Sequence, residues 1–237
     1  MDLGSLLNPG GGSSVASYED VTQSPYANLF SNAGTGESAA TVNTPAVDES
    51  VASEAREKYT RILGRQQDTV TIMVYMCGTD LESRSGMATK DLGEMARATI
   101  GDNVSVVVYT GGCSRWNNNI VSSSKNQIYE VQSGGLKRIV DDAGNPSMTK
   151  PETLASFIQF CAKNYPANRN FLIFWDHGGG SVSGYGYDEK NKASGSMSLA
   201  GINEALKAGG VQFDAVGFDA CLMATLETGL MLDPYAD

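Results

Sequence analysis

Histidine is almost absent from the chain, which has one, His177, in 237 residues. The four cysteines, at positions 77, 113, 161 and 221, form no C-x-x-C pair. Structural zinc sites are usually built from closely spaced cysteines or from several histidines. We therefore predict that the protein has no metal site and needs no cofactor. The sequence has no D-x-[DN]-x-[DN]-G calcium loop, although Asp141–Asp142 and Asp188–Glu189 are weak candidate ligands and leave a calcium requirement open.

Basic residues are also scarce. The chain has 17 Lys+Arg against 27 Asp+Glu, a formal net charge of −10. Nucleic-acid-binding domains normally carry a basic face, so we predict no nucleic-acid partner. The sequence also lacks a G-x-x-x-x-G-K-[ST] motif, which argues against a nucleotide-binding loop.

Long apolar runs are missing too. No uninterrupted run approaches the ~18–20 residues that cross a bilayer, so we predict no transmembrane segment in this chain. The first twelve residues lack the basic and apolar regions of a signal peptide.

The N-terminal quarter of the chain differs in composition from the rest. Residues 1–55 are rich in Gly, Ser, Ala, Thr and Asn, which is typical of a flexible or loosely packed leader. Residues 56–237 are predicted to form the folded domain. At the junction, residues 50–64 predict a short charged helix that ends at Gly64.

The folded domain contains four apolar, β-branched runs, at residues 69–77, 104–110, 171–175 and 215–218. Such continuous runs are typical of strands that are buried on both faces in a parallel sheet.

Helical patterns separate these runs. They lie at residues 81–98, after a capping-box spacing at Thr149–Glu152, and after Ser198. Residues 126–140 predict a small hairpin between the second and third runs. The alternation predicts an α/β fold, with a mostly parallel sheet flanked by helices on both faces in three layers.

Two of the predicted strands end on side chains that suit catalysis. Run 171–175 is followed by Asp176, His177 and Gly178, and run 215–218 by Asp219 and Cys221. Active sites of parallel α/β sheets lie beyond the carboxyl ends of the strands. We therefore expect the imidazole and the thiol to meet there. An imidazole can take a proton from the thiol and return it to a leaving group.

The backbone around this pair also suits catalysis. A helix predicted to start at Cys221 would favour its thiolate and supply a free N–H. Gly178 lets the backbone approach a substrate closely. The N–H groups of Gly178 and Cys221 are therefore the candidate oxyanion hole. We expect Asp176 to hold local backbone rather than to take a proton.

These stretches resemble a known family. W-D-H-G-G-G (175–180) and F-D-A-C-L-M-A (218–224) are similar to the catalytic blocks of the clostripain family of cysteine peptidases, which has a caspase-like fold. Supporting similarity is found in V-Y-M-C-G-T-D-L-E (74–82) and Y-T-G-G-C-S-R-W (109–116), and the whole resemblance runs from about residue 68 to the end.

The resemblance implies an activity and a role for each matching residue. Cys221 would be the nucleophile and His177 the general base and acid of a Cys–His dyad. Asp219 would line the pocket for a basic side chain, so protein or peptide substrates would be cut after Arg or Lys. The family also implies a bacterial protein that is secreted or at the cell surface, and further C-terminal strands, which we expect this chain to lack.

Self-cleavage is a further implication of the resemblance. The loop over 186–196 is polar and carries two lysines. We predict activation by cleavage between Lys192 and Ala193, with Lys190 as the second choice; the alternative is an ordinary solvated turn. Two other functions stay open: a caspase-like peptidase with a different P1 specificity, and a non-catalytic interaction domain with the same fold.

Overall fold

A computed structural model describes residues 57–237. The predicted leader, residues 1–55, lies outside them, as does most of the helix predicted over 50–64. Its described part, 57–64, contains no helix, so there the prediction is wrong. The Asp68 carboxylate accepts hydrogen bonds from the backbone N–H groups of Leu63 and Gly64, at 2.9 and 2.8 Å, and these bonds replace helical ones.

A six-stranded mixed sheet forms the centre of the described domain. Its strands are β1 (Val70–Cys77), β2 (Val104–Gly111), β3 (Gln127–Gln132), β4 (Gly135–Val140), β5 (Arg169–Trp175) and β6 (Ala215–Asp219). Their order in the sheet is β4-β3-β2-β1-β5-β6. The four predicted strands are β1, β2, β5 and β6, which are parallel, and the predicted hairpin β3–β4 extends the sheet in antiparallel pairing.

Helices cover both faces of the sheet, as the sequence predicts. They are α1 (Thr79–Ser83), α2 (Met87–Arg97), α3 (Pro151–Asn164), α4 (Gly180–Ser183), α5 (Leu199–Gly209) and α6 (Leu226–Leu232). Successive side chains of a strand point to opposite faces, so β1 contributes side chains to the hydrophobic core on each face of the sheet. Tyr75 packs with α3 and α5 on one face, while Met76 packs with α2 on the other.

The helix predicted over 81–98 is divided into α1 and α2. Gly86 lies between them with φ of +66°, a conformation that a helix interior does not allow. The Glu82 carboxylate is fully buried and accepts hydrogen bonds from the backbone N–H of Thr89 and of Asn117, at 2.8 and 2.6 Å. This carboxylate therefore fixes the corner between the two helices.

The two predicted helix caps have different outcomes. Ser198 caps α5 as predicted, because its hydroxyl oxygen accepts a hydrogen bond from the Gly201 N–H at 3.2 Å. The capping box at Thr149 is wrong: α3 begins after Lys150, with Pro151 as its first residue. The Thr149 hydroxyl is instead hydrogen-bonded to the Ser147 hydroxyl at 3.0 Å.

Strand β6 lies at the edge of the sheet and pairs, among the described residues, with β5 alone. Its side chains are exposed or half-buried, unlike those of β1. In the part of the chain that the structure describes, every helix is too short or too polar to cross a membrane.

Candidate active site

The His177 and Cys221 segments lie side by side at the carboxyl edge of the sheet. Strands β5 and β6 are neighbours, with Trp175 paired to Asp219 at their ends. One step beyond, the Asp176 N–H donates to the Asp219 carbonyl oxygen at 3.4 Å. The two strand ends are therefore neighbours, as predicted.

The glycines after His177 receive the backbone of the Cys221 turn. A Cβ added to Gly178 would overlap the Cys221 carbonyl oxygen and lie 2.9 Å from Met223 Cγ. A Cβ added to Gly180, whose φ is +66°, would lie 3.1 Å from the Leu222 carbonyl oxygen. The space that the sequence analysis assigns to a substrate at Gly178 is thus occupied by the protein's own backbone, and the two segments interlock.

Cys221 is exposed, and it lies in a turn rather than at the start of a helix. Helix α6 begins at Leu226, where the Thr225 hydroxyl oxygen caps it by accepting from the Thr228 N–H at 3.2 Å. The predicted helix N-terminus at Cys221 is therefore wrong. Leu222 has φ of +63°, an unusual value for a bulky residue, so the chain turns sharply just after the thiol.

His177 is about half exposed, and its Nε2 atom lies 2.8 Å from Asp80 Oδ1. This hydrogen bond is the main cause that holds the pKa of the Asp80 carboxyl below its ordinary value. Asp80 belongs to α1, which follows β1, so a third strand end contributes to the site. Residues 74–82, which include Asp80, carry part of the family similarity, but nothing in the sequence indicates that this carboxylate reaches the ring.

Asp176 holds local backbone, as predicted, but burial also makes it bind a proton more readily than the sequence indicates. It is 2% exposed, and it accepts hydrogen bonds from the backbone N–H groups of His177 at 2.6 Å and Tyr187 at 2.7 Å. Burial is the largest influence on this group and raises the pKa of Asp176 from 3.8 to about 7, against the opposing effect of these hydrogen bonds. The folded protein therefore binds a proton here over a pH range where the unfolded chain has released it.

This difference predicts a pH-dependent stability. The contribution of Asp176 to the free energy of unfolding is fully present below about pH 4 and is lost as pH rises towards 7, by at most about 1.4 kcal/mol per pH unit. We expect the wild type to lose stability over this range relative to Asp176→Asn, measured by urea unfolding. Asp102→Asn, at an exposed site, is the matched control and should follow the wild type. Parallel curves for the wild type and Asp176→Asn would contradict the assignment.

Asp219 is exposed at the end of β6, beside a second carboxylate. A groove on the α2 face of the sheet is lined by Asp219, Trp175, Asp91 and Glu94 together with apolar residues. The Trp175 indole N–H donates to Asp91 Oδ2 at 2.7 Å. Burial first, and then the negative charge of Asp219, raises the pKa of Asp91. Asp91 comes from α2 and could not be assigned to this site from the sequence.

The predicted processing loop has a fixed part and an exposed part. The buried Asp188 carboxylate accepts hydrogen bonds from the backbone N–H groups of Lys190 and Asn191, at 2.8 and 2.9 Å. Lys190 is half-buried, and its Nζ donates to the Ser123 carbonyl oxygen at 3.2 Å. Lys192 and Ala193 are exposed in a short 3₁₀ turn over Lys192–Ser194.

The candidate calcium ligands are largely occupied by other partners. Asp141 pairs with Lys125 and Arg138, while Asp188 accepts from backbone N–H groups. Within residues 57–237, no group of three or more His, Cys, Asp or Glu side chains is placed to hold a metal ion.

Comparison with known proteins places this arrangement in a family. The sequence profile of the Clostripain family matches residues 74–237, which is most of the chain. The chain belongs to the clostripain family. The resemblance inferred from the two strand-end motifs is thereby confirmed. A curated member, clostripain of Hathewaya histolytica, is 31% identical over 100 residues, covering 37% of this chain and 19% of that protein.

Solved structures of the same family share the fold. A secreted C11 cysteine protease from Bacteroides thetaiotaomicron, in complex with an irreversible peptide inhibitor, has a TM-score of 0.57 at 23% identity, covering 72% of this chain and 47% of that one. An inactive zymogen C11 protease from Parabacteroides distasonis has a TM-score of 0.54 at 24% identity, with the same two shares. The chain thus spans about half the length of these solved relatives and about a fifth of clostripain.

Proposed function

We propose that the protein is a cysteine endopeptidase in which Cys221 is the nucleophile and His177 moves the proton. The observation that carries this proposal is the interlocked pair of strand ends, in which the segment of the exposed Cys221 packs against the segment that carries the chain's one histidine. Family membership agrees with it.

The reaction proceeds in two stages. The Cys221 thiol proton passes to His177, and the sulfur attacks the peptide carbonyl to form a tetrahedral intermediate. His177 then gives the proton to the leaving amine, and a thioester acyl-enzyme remains. Water, deprotonated by His177, hydrolyses the thioester and restores the thiol.

Two backbone N–H groups are available to the oxyanion of this intermediate. The N–H groups of Gly178 and Cys221 make no hydrogen bond within residues 57–237. Both belong to the interlocked segments, so their positions are fixed before substrate binds. Such preorganised donors stabilise negative charge that develops in the transition state.

Cleavage after Arg or Lys is the specificity that the acidic end of the groove supports. Asp219 lies two residues before Cys221, and Asp91 lies close enough for the Asp219 charge to raise its pKa. A guanidinium or ammonium group bound there would relieve the repulsion between the carboxylates and form charge-assisted hydrogen bonds. Asp219 is therefore the proposed binding residue for the basic side chain.

A panel of reporter peptides that differ in the P1 residue tests this function. We expect Arg and Lys reporters to be cleaved with kcat/KM at least about 10²-fold above Asp, Asn or Leu reporters. Asp219→Asn should lower kcat/KM for the basic reporters by about 10²-fold, since a basic group would lose its charged partner. Glu227→Gln, at an exposed carboxylate on α6, is the matched control. Faster cleavage of Asp or Asn reporters would mean a different specificity.

Activation by self-cleavage between Lys192 and Ala193 is part of the proposal. Lys192 is exposed, whereas the Lys190 backbone is bound to a buried carboxylate. The loop is closed by Tyr185 and Met197, whose backbone groups exchange two hydrogen bonds of 2.8 Å. A cut at Lys192 would thus leave both fragments attached to the sheet.

Intact-mass measurement of the incubated protein tests the processing site. We expect the wild type to be cut after Lys192, Lys192→Ala and Cys221→Ala to stay intact, and Lys190→Ala to be cut like the wild type. The two fragments of the wild type should elute together in gel filtration. Equal cutting of the wild type and Cys221→Ala would show that another protease cleaves the loop.

We also propose that the protein is exported from a bacterial cell, because a solved relative is a secreted protease. Detection of the protein in the culture medium, and not in the cell lysate alone, would support this.

A further inference from the structure

The carboxylate of Asp80 is bound to the one imidazole of the chain, although the two residues are 97 positions apart. His177 Nε2 and Asp80 Oδ1 are separated by 2.8 Å. The other carboxylate next to the ring, Asp176, is bound to the backbone N–H groups of His177 and Tyr187. We propose that Asp80 is the positioning residue for His177, an inference that rests on the proposed function.

The segment that carries Asp80 is fixed on both sides. Before it, a Cβ added to Gly78 would lie 2.8 Å from Cys113 Cβ, so the chain is pressed against the loop after β2. Thr79 is fully buried with φ of +45°, a strained conformation for a β-branched residue. After it, the buried Glu82 carboxylate holds Thr89 and Asn117. The backbone on either side of Asp80 is therefore held by contacts that do not involve His177.

This contact assigns different tasks to the two ring nitrogens. A carboxylate accepts a hydrogen bond, so it favours the tautomer in which Nε2 carries the proton. Nδ1 is then the nitrogen with the lone pair, and it is left to take the proton of the Cys221 thiol. Once Nδ1 is protonated, the ring is a cation, and the Asp80 charge stabilises it.

Other charged groups near Asp80 contact it or its helix rather than the ring. Arg84 Nη1 lies 3.7 Å from Asp80 Oδ2, which is not the oxygen that contacts His177. Glu189 accepts a hydrogen bond from the Ser83 hydroxyl at 2.9 Å, which ties the end of α1 to the processing loop. Of the described carboxylates, only that of Asp80 is hydrogen-bonded to the His177 ring.

Steady-state kinetics of Asp80 variants in the full chain are the first test. We expect Asp80→Asn to lower kcat by about 10-fold to 10²-fold, and Asp80→Ala by about 10²-fold or more, with KM within about twofold of the wild type. Asp80→Glu keeps the charge and should recover part of the loss. Asp102→Asn, at an exposed site remote from the ring, is the matched control. A kcat within twofold of the wild type in both the Asn and the Ala variant would overturn the proposal. A rise in kcat would overturn it as well, because it would mean that Asp80 restrains the ring.

The tautomer of the single histidine is a second readout that needs no activity. Nitrogen-15 NMR of protein labelled at histidine reports His177 alone, since the chain has one histidine. We expect the Nε2–H tautomer in the wild type and a mixture of tautomers in Asp80→Ala. An unchanged tautomer in that variant would overturn the role of Asp80. Activity that survives Cys221→Ala would instead overturn the proposed function, and the NMR result would still decide what Asp80 does.

Discussion

Replacement of Cys221 by alanine is expected to lower kcat/KM for Arg and Lys reporter peptides by about 10⁴-fold or more. The covalent route is lost with the sulfur, and no other described cysteine can take its place, because Cys77, Cys113 and Cys161 are all fully buried. His177→Ala should cause a loss of similar size, since the chain has no second imidazole to move the proton. Steady-state hydrolysis of the reporters measures both effects.

Cys161→Ala is the matched control for the loss of a thiol. It lies on α3, in the core of the sheet face that α3 and α5 cover, so it should cost stability but not activity. Labelling with iodoacetamide gives an independent readout: burial raises the pKa of Cys77, Cys113 and Cys161, so Cys221 should be modified at least about 10²-fold faster. If Cys221→Ala kept most of the activity, the mechanism would be wrong. If Cys221 reacted no faster than the others, a non-catalytic interaction domain would be favoured.

Replacement of Gly178 by alanine is expected to damage both stability and activity. The added Cβ would overlap the Cys221 carbonyl oxygen, and the neighbouring atoms that must move include the backbone of the turn at Cys221. We expect a loss of about 2–3 kcal/mol in the free energy of unfolding, at the upper end of ordinary overpacking. The shift of the turn should also lower kcat by about 10²-fold or more. Urea unfolding and reporter hydrolysis measure the two effects separately.

Gly229→Ala provides the comparison for this substitution. Gly229 lies within α6, and a Cβ there would meet no atom within 4 Å. Because alanine is a better helix former than glycine, this variant should be as stable as the wild type or more stable by about 1 kcal/mol. Gly178→Ala with the same stability and activity as Gly229→Ala would contradict the interlocked arrangement of the two segments.

The strands and their connections could largely be predicted from the sequence. Apolar, β-branched runs can be buried on both faces only in a covered parallel sheet, and the four predicted runs form β1, β2, β5 and β6. The cap at Ser198 was predictable as well, because a serine hydroxyl satisfies a backbone N–H of the first helical turn locally.

The wrong predictions share a physical reason. One helical pattern continues through Gly86 and another starts at Cys221, yet α1 and α2 are separate and α6 begins only at Leu226. In both places tertiary contacts outweigh local preference: Glu82 fixes the first corner, and the fit of Gly178 against the Cys221 carbonyl group fixes the second. These contacts join residues that are distant in sequence, so a local sequence pattern cannot predict them.

The sequence by itself determined the two blocks that end β5 and β6, the sheet that carries them, and the family. It determined them because burial and strand direction are properties of short segments. Only the tertiary structure decided which carboxylates join the site, namely Asp80 on the His177 ring and Asp91 beside Asp219. Those contacts depend on where α1 and α2 begin and on how they pack against the sheet, and residues far apart in the chain set both.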